Sequence, residues 1–395
     1  MIRKDAVNIY KQIEQRIMEG SDLVKEVQVE EVNAQVHAMV YPDFSRLQER
    51  KIINVRDEIK WYVIETYNLN MIDNIRVDTF KVVNATLAVS EEIDLDFENS
   101  EVYQQLKTYL QSVTTAPITP LSHLELDLEL DSLEYVMLFV YVEKSFGLHL
   151  DEAIFSNLMV MKDLVTWIQE QHQQCVDAEV AWHDVLKHKS KEVLVRSPWV
   201  MMAWRALCWP YFKLFHKIEA IGLQRLPEGN FIIAPTHHSA LDGFAIIAAL
   251  PASVLRETFF LAYEGEFGKP HLRPLAKHSQ MLLIDINKDL IASLQRTALP
   301  LMESKNLVIF PENARSRDGK LLPFKKFFAT LSTELNLPIV PVILKGTFEA
   351  MPTGATLPKR VPISVEFLEP VYPEDMDDET LSMKVEEYVK AHRKA

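Results

Sequence analysis

The chain has 395 residues, enough for two or three domains, and its 48% hydrophobic and 25% charged content is ordinary for a globular protein. Its formal net charge of −14 argues against nucleic-acid binding, because contacts to phosphates need positive charge. Two cysteines without the Cys/His spacing of a metal site predict neither a disulfide scaffold nor a metal centre. Residues 1–5 lack the apolar core of a signal peptide, so we expect a cytoplasmic protein.

The charge is unevenly distributed along the chain. Residues 91–152 contain fourteen acidic and two basic residues, whereas residues 186–218 contain seven basic residues and one acidic residue. An acidic block followed by a basic, aromatic-rich block indicates separate modules that meet different partners.

The region 1–97 mixes the patterns of helices and strands. The predicted elements are a helix built on Ile9, Ile13 and Ile17 and ended by Gly20, strands at 27–29 and 36–40, and a second helix at 52–67. Together they predict an α+β subdomain.

The order of these elements resembles the small C-terminal subdomain of AMP-forming acyl-adenylate synthetases. The stretches that match best are 7–14, 24–29 and 41–43. The large nucleotide-binding domain of that family is absent from the sequence, and residues 85–90 stand where the family has the Gly-Lys pair with its adenylating lysine. We therefore predict no adenylation activity; the alternative is a generic α+β domain without an inherited role.

Residues 98–174 show the apolar spacing of an all-helical unit. The positions that recur at helical spacing are Val102, Leu106, Tyr109, Leu110 and Val113, then Leu133, Val136, Met137 and Val140, and finally Leu164, Trp167 and Ile168. The second helix follows Asp131 and Ser132, and a serine at a helix start commonly serves only as an N-cap.

The acidic loop at 124–130, the Asp-Ser-Leu sequence at 131–133 and the acidic stretch after the helix together resemble an acyl carrier protein. The resemblance implies a four-helix bundle over 98–174, with 4′-phosphopantetheine attached covalently to Ser132 by a phosphopantetheinyl transferase. Acidic residues such as Asp131, Glu134 and Glu143 then face basic partner surfaces. A degenerate carrier that is not modified is the alternative.

Residues 175–196 are polar and charged and are interpreted as a linker. The next segment, 197–218, is rich in aromatic residues that Arg205, Lys213 and Lys217 interrupt. A membrane-spanning helix needs about 20 mostly apolar residues, so the charges favour a segment lying in the membrane interface. The alternative is a core helix with a covering helix.

From residue 197 onward, apolar runs alternate with helical segments, which predicts an α/β domain. The run 231–234 is followed by His237 and, five positions later, by Asp242. The run 307–310 is followed by Glu312 and Arg315. Two strand ends that carry a general base and an anion binder indicate one site in which a hydroxyl is activated beside a phosphate.

These two blocks resemble the glycerolipid acyltransferases of the lysophosphatidic acid type, whose hallmark is His-x-x-x-x-Asp followed by Phe-Pro-Glu-Gly-Thr-Arg. The resemblance implies that His237 is the general base, that Asp242 orients its imidazole, and that Arg315 grips the phosphate of the acceptor. Glu312, which orders the loop or a glycerol hydroxyl, and the neighbouring Asn313 join Arg315 as substrate-binding candidates.

Ser239 is a further candidate near the acceptor, read as a supporting residue and not as a nucleophile, because the acceptor is itself the attacking alcohol. His238, next to the predicted base, is interpreted as a spacer.

The sequence departs from the family pattern at a few positions. The family glycine is Asn313, and Ala314 replaces the usual threonine. The strand near 283–287 lacks the arginine common in the family's second motif, which implies a changed head group or a weaker grip on the phosphate. Lys288, Arg273 and Lys325 are candidates to compensate.

The sequence therefore predicts a multidomain chain: an α+β subdomain over 1–97, an acyl-carrier bundle over 98–174, a linker over 175–196 and an α/β acyltransferase domain over 197–395. The predicted activity moves a fatty acyl chain from a thioester to the hydroxyl of a lysophospholipid at a membrane surface. The donor is the chain's own carrier domain, another acyl carrier protein or acyl-CoA. The alternative is a catalytically decayed carrier and membrane-docking scaffold.

Overall fold

A computed structural model describes residues 2–32, 35–50, 52, 54–69, 71, 76–84, 95–130, 132–148, 154, 158–171, 194–263, 273–284 and 290–394. The chain divides into two compact units. The first comprises Met1–Ala181 with Ile286–Leu290, and the second comprises Trp182–Asp285 with Ile291–Ala395. Of the predicted linker, residues 175–193 lie outside the described residues.

The first unit begins with a three-stranded sheet and its helices. The elements are α1 (Ile2–Gly20), β1 (Val24–Val32), β2 (Gln35–Pro42), α2 (Phe44–Glu49), α3 (Val55–Glu58), a π-helical segment (Ile59–Ile64), α4 (Glu65–Leu69) and β3 (Thr79–Val82). The central strand β2 is antiparallel to β1 and parallel to β3. The predicted first helix and the two predicted strands are confirmed; Ile13 and Ile17 are buried, whereas Ile9 is exposed.

The acidic block of the first unit is helical where it is described. Its helices are α5 (Leu95–Glu98), α6 (Glu101–Val113), α7 (Ser132–Phe146) and α8 (Met161–Gln171). The apolar positions Leu106, Val136 and Leu164 are fully buried, as their spacing predicts, and the rings of Tyr109 and Tyr141 stack at 4.0 Å. The three helices predicted from this spacing are confirmed, and the complete four-helix bundle stays a prediction.

Part of the acidic loop before α7 is tied to the N-terminal subdomain. Glu125 is buried, and its two carboxylate oxygens accept hydrogen bonds from the backbone N–H groups of Val55 and Arg56, each at 2.7 Å. These two N–H groups lie in the first turn of α3, where backbone donors lack partners within the helix. Burial raises the pKa of Glu125 to about 7. Glu125 therefore caps a helix and does not contribute to an exposed acidic face.

The second unit is a seven-stranded sheet with helices on both faces. Its elements are α9 (Pro198–Phe215), β4 (Glu219–Ile221), a 3₁₀ turn (Leu223–Arg225), β5 (Ile232–Pro235), α10 (Asp242–Ala249), α11 (Ala252–Leu255), β6 (Thr258–Tyr263), α12 (Arg273–His278), β7 (Met281–Ile284), α13 (Leu290–Met302), β8 (Asn306–Val308), α14 (Phe327–Leu335), β9 (Ile339–Lys345), α15 (Thr347–Ala350), β10 (Ser364–Phe367) and α16 (Asp378–Lys394).

The strand order in this sheet is β4-β10-β9-β5-β8-β6-β7, and every pair is parallel except β9 with β10. In a sequence, parallel strands that are buried on both faces appear as uninterrupted runs of apolar residues. The runs 231–234 and 307–310 are of this kind. Alternate side chains enter two cores: Ile233 and Val340 pack with α9 and α10, whereas Ile232 and Ile339 pack with α14 and α16. The predicted α/β architecture of this region is confirmed.

Helix α9 contains most of the predicted interfacial segment and has two apolar faces. Met201 and Phe212 are buried against the sheet, whereas Trp199 is 85% and Leu214 75% exposed. Trp204 lies on the protein side, where its indole N–H donates to the Ser279 hydroxyl at 2.8 Å. Among the described residues, no helix combines the length and hydropathy required to cross a membrane.

Candidate active site

The two sequence blocks meet at the carboxyl edge of the second sheet. Strand β5 runs parallel to β8 with Ile233 opposite Val308, and the backbone N–H of Ile309 donates to the carbonyl of Ile233 at 3.0 Å. The carboxyl ends of adjacent parallel strands lie at one edge, where α/β proteins bind their ligands. The loops that follow Pro235 and Ile309 therefore lie side by side.

His237 and Asp242 form a hydrogen-bonded pair. Nδ1 of His237 lies 2.9 Å from Oδ2 of Asp242, and the His237 side chain is 20% exposed while that of Asp242 is fully buried. An ionised carboxylate only accepts hydrogen bonds, so Nδ1 of the neutral imidazole carries the proton and Nε2 is left to accept one. The predicted contact between the two side chains is confirmed.

The position of the Asp242 carboxylate is fixed by the backbone around it. Its Oδ2 also accepts from the backbone N–H groups of His238 at 2.6 Å and Ser239 at 2.8 Å. Asp242 is the first residue of α10, where a negative charge is favoured by the helix dipole. One buried oxygen thus orients the imidazole and fixes the loop 237–239.

Glu312 connects the second block to the first. Its Oε1 accepts from the backbone N–H of His237 and its Oε2 from that of Leu322, both at 2.7 Å. The backbone N–H of Ser316 donates to the carbonyl of His237 at 2.9 Å, and the ring of Phe310 stacks on the imidazole at 3.9 Å. Glu312 is thus a buried connector that orders both loops, and its burial raises its pKa to about 7.

The conformation of Asn313 explains its departure from the family glycine. Its φ is 55°, in the left-handed region that glycine adopts freely and that asparagine tolerates better than most other residues. The turn also includes a hydrogen bond from the backbone N–H of Asn313 to the carbonyl of Phe310 at 3.1 Å. The side chain of Asn313 is exposed, and Arg315 follows two residues later with a half-buried side chain.

Ser239 and His238 are buried next to His237. The buried Ser239 hydroxyl donates to the carbonyl of Met351 at 2.7 Å and accepts from the backbone N–H of Leu241 at 3.1 Å. Burial, reinforced by the nearby charge of Arg393, lowers the pKa of His238 to about 4, so that this imidazole is neutral at pH 7. The two hydrogen bonds hold the Ser239 side chain in the protein framework, whereas Nε2 of His238 is buried without a hydrogen-bond partner among the described residues.

Arg393 is a residue of this site that the sequence analysis missed. It lies on α16, and its guanidinium donates a hydrogen bond to the carbonyl of Gly319, in the loop after the second block. Its charge lowers the pKa of His238 and of Glu312. No motif precedes Arg393; the available signal was a basic residue at the end of an amphipathic helix.

Some of the other predicted site residues lie outside the described part of the chain. Helix α7 begins at Ser132, as predicted, but the Ser132 side chain and Asp131 lie outside the described residues. Lys288, a candidate to replace the missing family arginine, also lies outside them. Where the chain is described, no three His, Cys, Asp or Glu side chains are grouped so as to hold a metal ion.

Replacing Glu312 by glutamine tests its connecting role. Glutamine, like a protonated carboxyl, accepts mainly through one oxygen, and it cannot ionise, so its own contribution to stability does not change with pH. The pKa of Glu312 is raised from 4.5 to about 7 on folding, so the wild-type carboxyl contributes most stability below pH 4.5. The free energy of unfolding of the wild type, relative to that of Glu312→Gln, should therefore fall as the pH rises from about 4.5 to about 7.

Denaturant unfolding followed by tryptophan fluorescence at several pH values measures this effect. The expected decline in the wild-type advantage is up to about 3 kcal/mol, since each tenfold change in proton affinity corresponds to about 1.4 kcal/mol. A stability difference that stays constant from pH 4.5 to 7 would rule out a carboxyl group with a raised pKa at this position.

Comparison with known proteins identifies the same region. Residues 217–345 match the family model described as Acyltransferase. The 1-acyl-sn-glycerol-3-phosphate acyltransferase of Limnanthes douglasii is 36% identical over 162 residues, which cover 40% of this chain and 55% of that protein. The enzyme of the same name from Cocos nucifera is 31% identical over 157 residues, covering 38% of this chain and 48% of that protein. The chain thus spans about half the length of the curated relatives it matches.

Among solved structures, the chain is similar to the 1-acyl-sn-glycerophosphate (LPA) acyltransferase PlsC from Thermotoga maritima, with 26% identity and a TM-score of 0.44. That similarity covers 49% of this chain and 78% of PlsC. His237, Asp242, Glu312 and Arg315 all lie within the matched residues 217–345. This chain contains an acyltransferase-family domain.

Proposed function

We propose that the chain transfers a fatty acyl group from a thioester to the free hydroxyl of a lysophospholipid with a phosphate head group, as one step in phospholipid synthesis. The observation that carries this proposal is the His237–Asp242 pair at 2.9 Å, joined through Glu312 to the loop that bears Arg315. The proposal is supported by the curated relatives, which are named as 1-acyl-sn-glycerol-3-phosphate acyltransferases.

The reaction needs a base and no enzyme nucleophile. Nε2 of His237 takes the proton of the acceptor hydroxyl while its oxygen attacks the thioester carbonyl and forms the new C–O bond. The tetrahedral intermediate then collapses, the C–S bond breaks, and the sulfur leaves as a thiol with the proton from the imidazolium. The Asp242 carboxylate stabilises the imidazolium that exists between these two proton transfers.

Arg315 is proposed to bind the phosphate of the acceptor. A guanidinium offers a planar fork of N–H donors that matches the oxygens of a phosphate. The left-handed conformation of Asn313 shapes the turn that leads to Arg315, so the replacement of the family glycine is compatible with a working loop. This compatibility favours an enzyme over a decayed scaffold.

The acyl donor is proposed to be carried by the chain itself. Ser132 is the first residue of the 15-residue helix α7, where the positive end of the helix dipole favours an attached phosphodiester. When 4′-phosphopantetheine is attached to Ser132, its thiol carries the acyl group as a thioester. Donor and acyltransferase site in one chain reach an effective concentration on the order of mM for a flexible connection. Free acyl-CoA and other acyl carrier proteins are alternative donors for the same reaction.

Modification of Ser132 has a direct test. Incubating the chain with CoA and a phosphopantetheinyl transferase should increase its mass by one arm. Ser132→Ala should remain folded, with a capping loss of about 1 kcal/mol, and should take up none. Intact mass spectrometry measures both results. An unmodified wild type, or a modified alanine variant, contradicts the carrier assignment.

Helix α9 is proposed to lie in the membrane interface. Its solvent-facing side presents Trp199, Leu207 and Leu214, which are 85%, 67% and 75% exposed, and Lys213 lies beside them. Tryptophan favours head-group depth, and a lysine attracts anionic lipids. This face would bring the site to an acceptor that resides in the bilayer.

Flotation with vesicles tests this face. The double variant Trp199→Ala/Leu214→Ala should bind anionic vesicles at least tenfold more weakly, because burying each large apolar side chain is worth roughly 1.5–3 kcal/mol. Binding of the wild type should also weaken at high salt. Met383→Ala, an exposed apolar residue on α16 across the sheet, serves as the control and should bind as the wild type does. Equal flotation of the double variant and the control would exclude α9 as the lipid-facing element.

A further inference from the structure

The last helix of the second unit is attached to the loop that follows the proposed phosphate-binding block. Glu386 of α16 accepts a hydrogen bond from the backbone N–H of Phe324 at 3.1 Å, and Arg393 donates one to the carbonyl of Gly319. Glu386 and Arg393 are seven residues apart and therefore lie on one face of the helix. Val389 between them is fully buried in the core beneath the sheet, which fixes the position of that face.

The loop 312–325 is in turn bonded to the proposed base. Within it, the backbone of Leu322 is bonded to Glu312, and the backbone of Ser316 to the carbonyl of His237. Arg315 lies between these anchors. The Arg393 guanidinium is therefore bonded to the same short loop that carries Arg315, the first proposed phosphate ligand.

The charge of Arg393 acts on the site itself. It is a cause of the lowered pKa of His238, whose neighbour is the proposed base. It also opposes the rise in the pKa of Glu312, the carboxyl that joins the two loops. The hydrogen bond to Gly319 uses one of the five N–H donors that a guanidinium offers.

We infer that Arg393 is a second cationic ligand for the phosphomonoester head group of the acceptor and that it determines specificity for this group. The inference rests on the proposed function. A phosphomonoester carries close to two negative charges near neutral pH, which two guanidinium groups match better than one. Arg393 lies outside residues 217–345. It supplies a positive charge in place of the arginine that the family has near 283–287 and that this chain lacks.

Steady-state kinetics with two acceptors test the inference. The acceptors are 1-acylglycerol 3-phosphate and a lysophosphatidylcholine with the same acyl chain, in which choline caps the phosphate. Arg393→Gln should raise KM for the phosphomonoester about tenfold or more, with kcat within about twofold, because it removes binding common to ground and transition states. Its effect on KM for the capped acceptor should be less than about threefold. Arg393→Lys keeps the charge without the fork and should fall between wild type and glutamine.

Glu386→Ala is the matched control. It removes another hydrogen bond between α16 and the same loop, and the ion pair of Glu386 with Lys390, without removing a positive charge. If Arg393 only anchored the loop, Arg393→Gln and Glu386→Ala would change both acceptors alike. A KM for the phosphomonoester within twofold of wild type in Arg393→Gln, or an equal change for both acceptors, would overturn the inference.

A binding measurement separates this inference from the proposed function. If the wild type acylates neither acceptor, the proposed function fails. Thermal-shift titration with 1-acylglycerol 3-phosphate then decides the inference alone: wild type should bind, Arg393→Gln should bind at least tenfold more weakly, and Glu386→Ala should bind within threefold of wild type. Equal binding by wild type and Arg393→Gln contradicts a ligand role.

Discussion

Replacing His237 by alanine is expected to slow acyl transfer by about 10²- to 10⁴-fold, the range that a positioned general base supplies. Without the imidazole, the acceptor hydroxyl must lose its proton to water as it attacks. The backbone N–H of His237, which donates to Glu312, is retained in the alanine variant, so the two loops stay connected. Single-turnover kinetics with a preloaded thioester donor measure the chemical step directly.

The neighbouring histidine provides the comparison for this variant. His238 is buried, and its pKa is lowered to about 4, so it is uncharged in the working pH range. His238→Gln should lower the thermal midpoint but slow transfer far less than His237→Ala does. If both variants slow transfer equally, the assignment of the base to His237 is wrong.

Asp242→Asn is expected to reduce kcat by about 10²- to 10⁴-fold while leaving the fold largely intact. An asparagine oxygen in the place of Oδ2 can accept the same three hydrogen bonds, from His237, His238 and Ser239. It lacks the negative charge that stabilises the imidazolium. The change should appear in kcat and not in KM for the acceptor.

Asp242→Ala separates catalysis from folding. It leaves the backbone N–H groups of His238 and Ser239 without their acceptor, at about 1–3 kcal/mol for each buried group. We expect a clear fall in the thermal midpoint for alanine and a small one for asparagine, with both variants slow. An asparagine variant with kcat within threefold of wild type would mean that the charge of Asp242 has no catalytic role.

Local patterns predicted the elements that bear the site but not their order in the sheet. The apolar runs of β5 and β8 are typical of buried parallel strands, and the five-residue step from His237 to Asp242 fits a strand end that turns directly into α10. That β5 lies between β8 and β9 depends on crossover connections, which no local pattern encodes. The two blocks were brought together by the chemistry of the residues at the two strand ends and by the resemblance to a family, not by periodicity.

Burial and long-range contacts explain what sequence reasoning missed. The density of aromatic residues in 197–218 does not distinguish the two faces of α9, and the structure separates the exposed Trp199 from Trp204, which is bonded to Ser279. Charge counting marked 91–152 as one acidic block, but it does not distinguish the exposed acidic residues from Glu125, which is buried and bonded to α3. Arg393 lies more than seventy residues after Arg315 in the chain and is bonded to the loop that follows the second block, with no motif to mark it.

The measurement that tests the central proposal most directly is product formation by the purified chain from a defined thioester. The chain is loaded with an acyl-phosphopantetheine arm on Ser132, mixed with 1-acylglycerol 3-phosphate, and followed by mass spectrometry of both protein and lipid, with acyl-CoA as a second donor. The proposal predicts that wild type yields the diacyl product and that His237→Ala yields at least 10²-fold less while remaining loaded. No diacyl product from either donor, or equal yields from wild type and His237→Ala, would contradict it.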